Sequence, residues 1–284
     1  MIVVADSGAS KTTWFLYDKS MQEPVILQSN GLNPYFITAQ KIAEAVQQTM
    51  KSNSVDTSLV NELFFYGAGL GSSKNRQIIQ DAVHSVFSYA RIEIFSDLCG
   101  SARALFGNSM GLAAILGTGA NAGLYDGKKI IQTSVSIGFI LGDEGSGAYT
   151  GKTFLQAYFK QQLPLELTLG FQEYSKLELS EILDKVYCQP SPSRFLGSIC
   201  YFLYENKTHP WVQNHITQSF RAFFTEIILP LNLAKQLPIG FTGSFAAGFP
   251  NELKKVVLEY EFVDCKIIAD PALKLFEYHS GQEI

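Results

Sequence analysis

Seven residues near the start of the chain, Asp6-Ser7-Gly8-Ala9-Ser10-Lys11-Thr12, have the composition of an anion cradle. They follow the apolar run Val3-Val4-Ala5 and lead into the β-rich stretch Thr12-Thr13-Trp14-Phe15-Leu16-Tyr17. Lys11-Thr12-Thr13 looks like the end of the phosphate loop GxxxxGK[ST]. That loop, however, needs glycine where this chain has Ala5 and Ser10, and it needs a helix next. What remains is a hairpin whose tip is rich in backbone and hydroxyl donors, a nest that holds an anion without a helix. Asp6 would repel a phosphate unless a cation lies between them. The pattern therefore calls for Mg²⁺, which takes few carboxylates and completes its shell with substrate oxygens and water. Taken alone, the stretch is equally an ordinary turn with Asp6 as a turn former.

Four more segments have suitable chemistry. Leu116-Gly117-Thr118-Gly119-Ala120-Asn121 is a second small-residue turn, and two such turns suit a polyphosphate gripped from both sides. Leu141-Gly142-Asp143-Glu144-Gly145-Ser146-Gly147 puts two acids just before a helical stretch, where they also simply suit a helix N-terminus. Phe241-Thr242-Gly243-Ser244 runs from a strand into a Gly turn that a flat purine could approach closely, or in which Ser244 is a plain N-cap. Asp97, before Leu98-Cys99-Gly100-Ser101-Ala102, is either a helix N-cap or a carboxylate presented for catalysis.

The elements that must position these residues follow from periodicity. Strand signals cover 2–6, 12–18, 24–30, 62–67 and 91–97, with helical spacing over 37–51 and from Ile78 to Phe87. The pattern then restarts. Strands are expected at 112–117, 122–126 and 129–138, a mainly helical stretch at 143–236, a strand at 238–244, a helix at 251–260, a strand at 262–270 and a final helix from Pro271. Residues 3–31 and 113–138 form an internal repeat of three strands and two turns. In that alignment Gly8 falls on Gly119, and Leu16-Tyr17-Asp18 on Leu124-Tyr125-Asp126. Two duplicated lobes, each with one Gly-rich hairpin turn, are expected to face each other.

Composition narrows the classes. A length of 284 residues suits two domains or lobes. Hydrophobic residues at 46% and aromatics at 13% are enough for sizeable cores and exclude a disordered chain. A net charge of −4, with no Lys/Arg-rich stretch, argues against nucleic-acid and acidic-membrane partners. No apolar run reaches the length of a membrane span, and Met1–Ala5 meets Asp6 with no basic region before it, so neither a span nor a signal peptide is expected. Cys99, Cys188, Cys200 and Cys265 show no CxxC pairing, which reads as a reduced, cytoplasmic protein. His209 and His215 are six apart, the wrong spacing for a helical zinc site.

In chain order the motifs DxGxxKT, NP, GxG, SDxxG, LGTGxN, GDEGSG and TGS resemble the sugar-kinase branch of the actin/hexokinase/heat-shock-chaperone ATPase superfamily. Within it they are most similar to the N-acetylglucosamine kinase family, which shares its sequence family with the BadF/BadG-type activator ATPases. The resemblance runs from Val3 to about Leu273 and is weakest over 155–236. It implies an α/β fold of two ribonuclease-H-like, actin-like ATPase lobes related by duplication, with an ATP cleft between them. The first lobe, 1–110 joined by a C-terminal helix at 271–284, would be the sugar side. The second, 111–270 with a helical insertion at about 155–236, would be the nucleotide side.

Roles carry over from the resemblance onto matching positions. Asp6, Ser7, Gly8, Ala9, Ser10, Lys11 and Thr12 would be the first phosphate motif, with Gly117, Thr118 and Gly119 the second, and Gly243 and Ser244 would hold adenosine. Asn33, Gly67, Asn121 and Asp143 would bind the sugar together with Asp97, the catalytic base for its 6-hydroxyl. Asp6, and Asp143 through water, would hold Mg²⁺. The implied activity is transfer of the γ-phosphoryl of ATP to an amino sugar, N-acetylglucosamine first, by a possible homodimer. Other readings are a kinase for another hexose or amino sugar, an activator ATPase with a shared iron–sulfur cluster, which needs closely placed cysteines, and a non-catalytic sensor.

Overall fold

The computed structural model describes residues 1–8, 11–233, 236–263 and 265–281. The chain divides into two compact units. The first comprises Met1–Ser109, Gly127–Lys129 and the chain from Asp270 on; the second comprises Met110–Asp126 and Ile130–Ala269.

In the first unit, β1 (Ile2–Ser7), β2 (Lys11–Tyr17), β3 (Val25–Asn30), β4 (Glu62–Gly67) and β5 (Arg91–Ser96) form one sheet in the order β3-β2-β1-β4-β5. The first three strands pair antiparallel, and β4 and β5 extend the sheet in parallel from β1. Parallel neighbours need crossovers, and α1 (Ala39–Ser52) and α2 (Ser73–Val86) supply them. The two-residue period of the strands sorts the side chains onto two faces. Val3, Ala5, Trp14 and Leu16 pack with Ile42, Val46, Ile79 and Val83 of α1 and α2. Val4, Phe15 and Tyr17 pack on the other face, with Ala104 of α3 (Asp97–Phe106) and Leu275 and Phe276 of α12 (Ala272–Ser280).

The final helix is also held by a polar contact. His279 Nε2 lies 2.6 Å from Tyr66 OH, which accepts a 2.6 Å hydrogen bond from Arg103. Burial first, then the Arg103 charge, pushes the His279 pKa down to about 3. The imidazole is therefore neutral, and the Tyr66 hydroxyl proton is free to point at its nitrogen.

The second unit repeats the sheet. β6 (Gly111–Leu116), β7 (Ala120–Tyr125), β8 (Ile130–Thr133), β9 (Ile239–Thr242) and β10 (Cys265–Ile268) lie in the order β10-β9-β6-β7-β8, the same topology as the first. Between β8 and β9 come α4 (Gly138–Leu141), α5 (Gly147–Phe159), α6 (Leu165–Ser175), α7 (Leu179–Tyr187), α8 (Pro192–Glu205) and α9 (Pro210–Phe223). A π turn, Phe224–Ile228, and a 3-10 turn, Leu229–Leu231, end this stretch. After β9 come α10 (Ser244–Gly248) and α11 (Pro250–Glu259). No helix among the described residues is long and apolar enough to cross a membrane.

Two details of the expected pattern shift. The strand expected over 129–138 stops at Thr133, and the segment turns into the short α4. In the repeat, β1 ends at Ser7 and β6 at Leu116, so Gly8 corresponds to Gly117 rather than Gly119. The ladder register retains the other match: Leu16 pairs with Val3 as Leu124 pairs with Leu112. Unit two simply has the shorter hairpin, a difference that sequence similarity at the turn conceals.

Candidate active site

In the first unit the candidate residues gather at the C-terminal ends of β1, β4 and β5, the edge where α/β sheets carry their ligands. Asp6 shares the face of Val4, and that is the face covered by α3 and α12. Both helices begin at this edge. One brings Asp97 as its first residue, and the other is preceded by Asp270. Burial is the largest influence on Asp6; with the neighbouring Asp270 and Asp97 carboxylates it outweighs Lys11 and pushes the pKa up to about 7.

At Asp97 the cap position falls to the preceding residue. Ser96 is the N-cap, its hydroxyl accepting from Cys99 N at 3.2 Å. Asp97 is the first helical residue, and its Oδ1 accepts from Leu98 N at 2.8 Å. N–H donors at a helix start lower a carboxyl pKa. Here burial wins and Asp97 is pushed up to about 6.

The turn motif behaves differently from expectation at Ser7 and Thr12. Both side chains are buried, and their hydroxyls lie 2.9 Å apart. Thr12 Oγ1 donates to Asn30 O at 3.0 Å and Ser7 Oγ accepts from Leu32 N at 3.0 Å. The Thr12 proton is spent within the protein and both hydroxyls are buried, so they fasten the strand that leads to Asn33 rather than stand open at the turn. Ser7→Ala leaves the Leu32 N–H without its partner. It should cost about 1–3 kcal/mol, read as a lower denaturation midpoint with an unchanged m-value. Gly8 and Lys11 remain exposed at the tip, whereas Ala9 and Ser10 lie outside the described residues.

Asn33 is held from two sides. Its Oδ1 accepts from Tyr35 N at 3.0 Å, and a Cβ on Gly69 would come within 2.5 Å of that same oxygen. Gly69, at φ +78°, must therefore be glycine for both space and conformation. Ala68 N donates to Ser7 O at 2.9 Å, tying the loop after Gly67 to the end of β1. Asp6, Asn33, Gly67 and Asp97 thus belong to one edge of one sheet.

In the second unit the three Gly-rich segments converge. The Asp143 carboxyl lies against Gly119, where a Cβ would sit 3.1 Å from Oδ2. Its pKa is raised, by burial first and then by Glu144, against the Ala120 N–H and Lys152. Gly147 N donates to Gly117 O at 2.8 Å and Ala148 N to Thr118 O at 3.1 Å, so the start of α5 grips the turn. Gly243, at φ +118°, abuts the same turn at Leu116 and Gly117. Gly243 is the N-cap of α10 and Ser244 its first residue, so Ser244 is not the cap. Asn121 Oδ1 accepts from Ser134 Oγ at 3.2 Å. The position that corresponds to Asp6 in this unit is Ile115, so only the first copy carries the strand-end acid.

Asp270 was not singled out from the sequence. Its only local signal is an acid before Pro271 at a helix start, and its place beside Asp6 comes from the packing of α12. Among the described residues no three His, Cys, Asp or Glu side chains form a metal-binding group.

No protein-family model and no curated protein matches the chain. Solved structures do. A candidate N-acetylglucosamine kinase from Porphyromonas gingivalis is 32% identical, with all of both chains covered and a TM-score of 0.93. A candidate N-acetylglucosamine kinase from Chromobacterium violaceum is 15% identical over 98% of each chain, with a TM-score of 0.73. The activator of 2-hydroxyisocaproyl-CoA dehydratase from Clostridium difficile is 10% identical over 98% of this chain and 94% of its own, with a TM-score of 0.51. The last two show a shared fold only. The repeated five-stranded sheets are the actin-like ATPase architecture expected from the motifs. With that architecture and 32% identity to a relative over the full length of both chains, the chain belongs to the N-acetylglucosamine kinase family.

Proposed function

We propose that the chain is an ATP-dependent kinase that transfers the γ-phosphoryl group to the 6-hydroxyl of an amino sugar, N-acetylglucosamine first. The observation that carries this reading is Asp97: a half-buried carboxyl, its pKa pushed up to about 6, on the same sheet edge as Asp6 and Asn33. A base with that pKa is largely ionised at neutral pH and still basic enough to take a proton as it becomes acidic during transfer. The likeness to the Porphyromonas gingivalis protein supports the choice of sugar.

In this reading Asn33 orients the sugar hydroxyls and Asp97 accepts the proton of the 6-hydroxyl as its oxygen attacks phosphorus. Gly8 and Lys11 hold phosphate oxygens in the first unit. In the second, Gly117, Thr118 and Gly119 bind phosphate, Gly243 and Ser244 the adenosine, and Asn121 and Asp143 complete the sugar contacts. Asp6 suits Mg²⁺: it is a hard oxygen donor whose ionisation is held back by burial and two carboxylates, a cost that a divalent cation removes. When bound, Mg²⁺ neutralises charge on the transferring phosphoryl group. Asp143 would reach it through water. The use of ATP assigns the reaction to the cytoplasm, and a homodimer is carried over from the resemblance.

Asn33→Ala should raise KM for the sugar about tenfold with a smaller change in kcat, since it removes a hydrogen bond made in ground and transition states alike. The activator reading has less support. It needs cysteines that can ligate iron, whereas Cys99 and Cys265 are buried and burial pushes the Cys200 thiol up to about 12. The deciding experiment is ADP release measured over glucose, glucosamine, N-acetylglucosamine, N-acetylmannosamine and a blank. Release with N-acetylglucosamine above all others is expected. Release with none of the sugars would remove the kinase reading.

A further inference from the structure

Lys11 and Asp270 are 259 residues apart in sequence and meet at the active edge of the first unit, Nζ lying 2.7 Å from Oδ2. Lys11 opens β2 just after the turn. Asp270 is fixed by its other oxygen, Oδ1, which accepts from Ala272 N at 3.1 Å where α12 begins. The side chains are 57% and 44% exposed, so the pair contributes little to stability. Its consequence is local charge. The Asp270 and Asp97 carboxylates both act on Asp6 here, and Lys11 opposes them. Asp270 engages that cation and adds a third negative charge beside the phosphate turn.

We infer that Asp270 is a specificity-determining residue that makes this edge reject a nucleotide polyphosphate lacking its divalent cation. The inference rests on the kinase reading. Metal-free ATP carries about four negative charges and its magnesium complex about two, so repulsion from one fixed carboxylate is about twice as large for the metal-free form. Asp270 also keeps Lys11 occupied, so a ligand must compete for the ammonium. Both effects weaken binding of the bare polyphosphate most.

The test uses the full chain and titration calorimetry with a non-hydrolysable ATP analogue, in Mg²⁺ or in EDTA. Asp270→Asn should tighten metal-free binding about tenfold and metal-bound binding about threefold, narrowing the preference for the metal complex about threefold. Asp270→Ser, which keeps an acceptor for Ala272 N, should narrow it equally, and Asp270→Glu should restore it. Equal shifts in both conditions, or weaker binding in both, would overturn the inference and leave a plain surface ion pair. If the wild type binds no analogue even with Mg²⁺, the kinase reading falls first and takes this inference with it.

Discussion

Asp97→Asn is expected to lower kcat for sugar phosphorylation by about 10²–10⁴-fold, the usual contribution of a positioned general base. Affinity for the ATP analogue should stay nearly unchanged. Asparagine fills the same space, and its amide oxygen still accepts from Leu98 N, which now bonds Asp97 Oδ1. The helix start and its Ser96 cap therefore survive, and the loss falls on proton transfer alone. The pH dependence gives a second reading of the same group. The base works only when ionised, and its carboxyl is pushed up to about 6 by burial. With Mg²⁺ saturating, so that Asp6 is held ionised, wild-type kcat/KM for the sugar should thus fall as pH drops through about 6 and level off above it. The Asn variant should lose that limb. A variant with wild-type kcat, or one that keeps the same acid limb, would remove Asp97 from this role.

Gly243→Ala is expected to destabilise the second unit by about 3 kcal/mol or more, combining backbone strain with overpacking. At φ +118° an L side chain is strained in open space, and here there is none. The added Cβ would press on Leu116 O and lie 2.7 Å from its carbonyl carbon and 3.0 Å from Gly117 N. Those atoms are backbone at the end of β6, so no side chain can swing aside. Movement would pull the 117–119 turn from the start of α5, to which it is tied through Gly117 O and Thr118 O. Thermal denaturation should report a lowered midpoint, and ATP-analogue binding should weaken with it. Gly117→Ala is the matched control. A Cβ there meets nothing within 4 Å, so stability should change little. Equal effects of the two substitutions would contradict the packing argument.

Much of this architecture is encoded locally. Short apolar runs rich in Val, Phe, Leu and Tyr set β1, β2 and β4 within a residue or two, and the repeated hairpin is visible in Leu16-Tyr17-Asp18 and Leu124-Tyr125-Asp126 because pleat and turn chemistry act over a few neighbours. The segments 116–121, 142–147 and 241–244 stand out for the same reason: small residues mark places where backbone must come close. Only the tertiary structure decides what they come close to. Asp143 against Gly119, Gly243 against Leu116, and Asn33 against Gly69 are contacts between distant segments. So is the diversion of the Ser7 and Thr12 hydroxyls into a buried network, which a pattern of small polar residues at a turn cannot distinguish from open donors. Lys11 is the sharpest case. Its residue type and its neighbours suggest phosphate, yet its present partner is Asp270, brought in by α12 packing on β1 and β2. Periodicity is a property of neighbours along the chain, whereas charge at a site is a sum over whatever the fold assembles there.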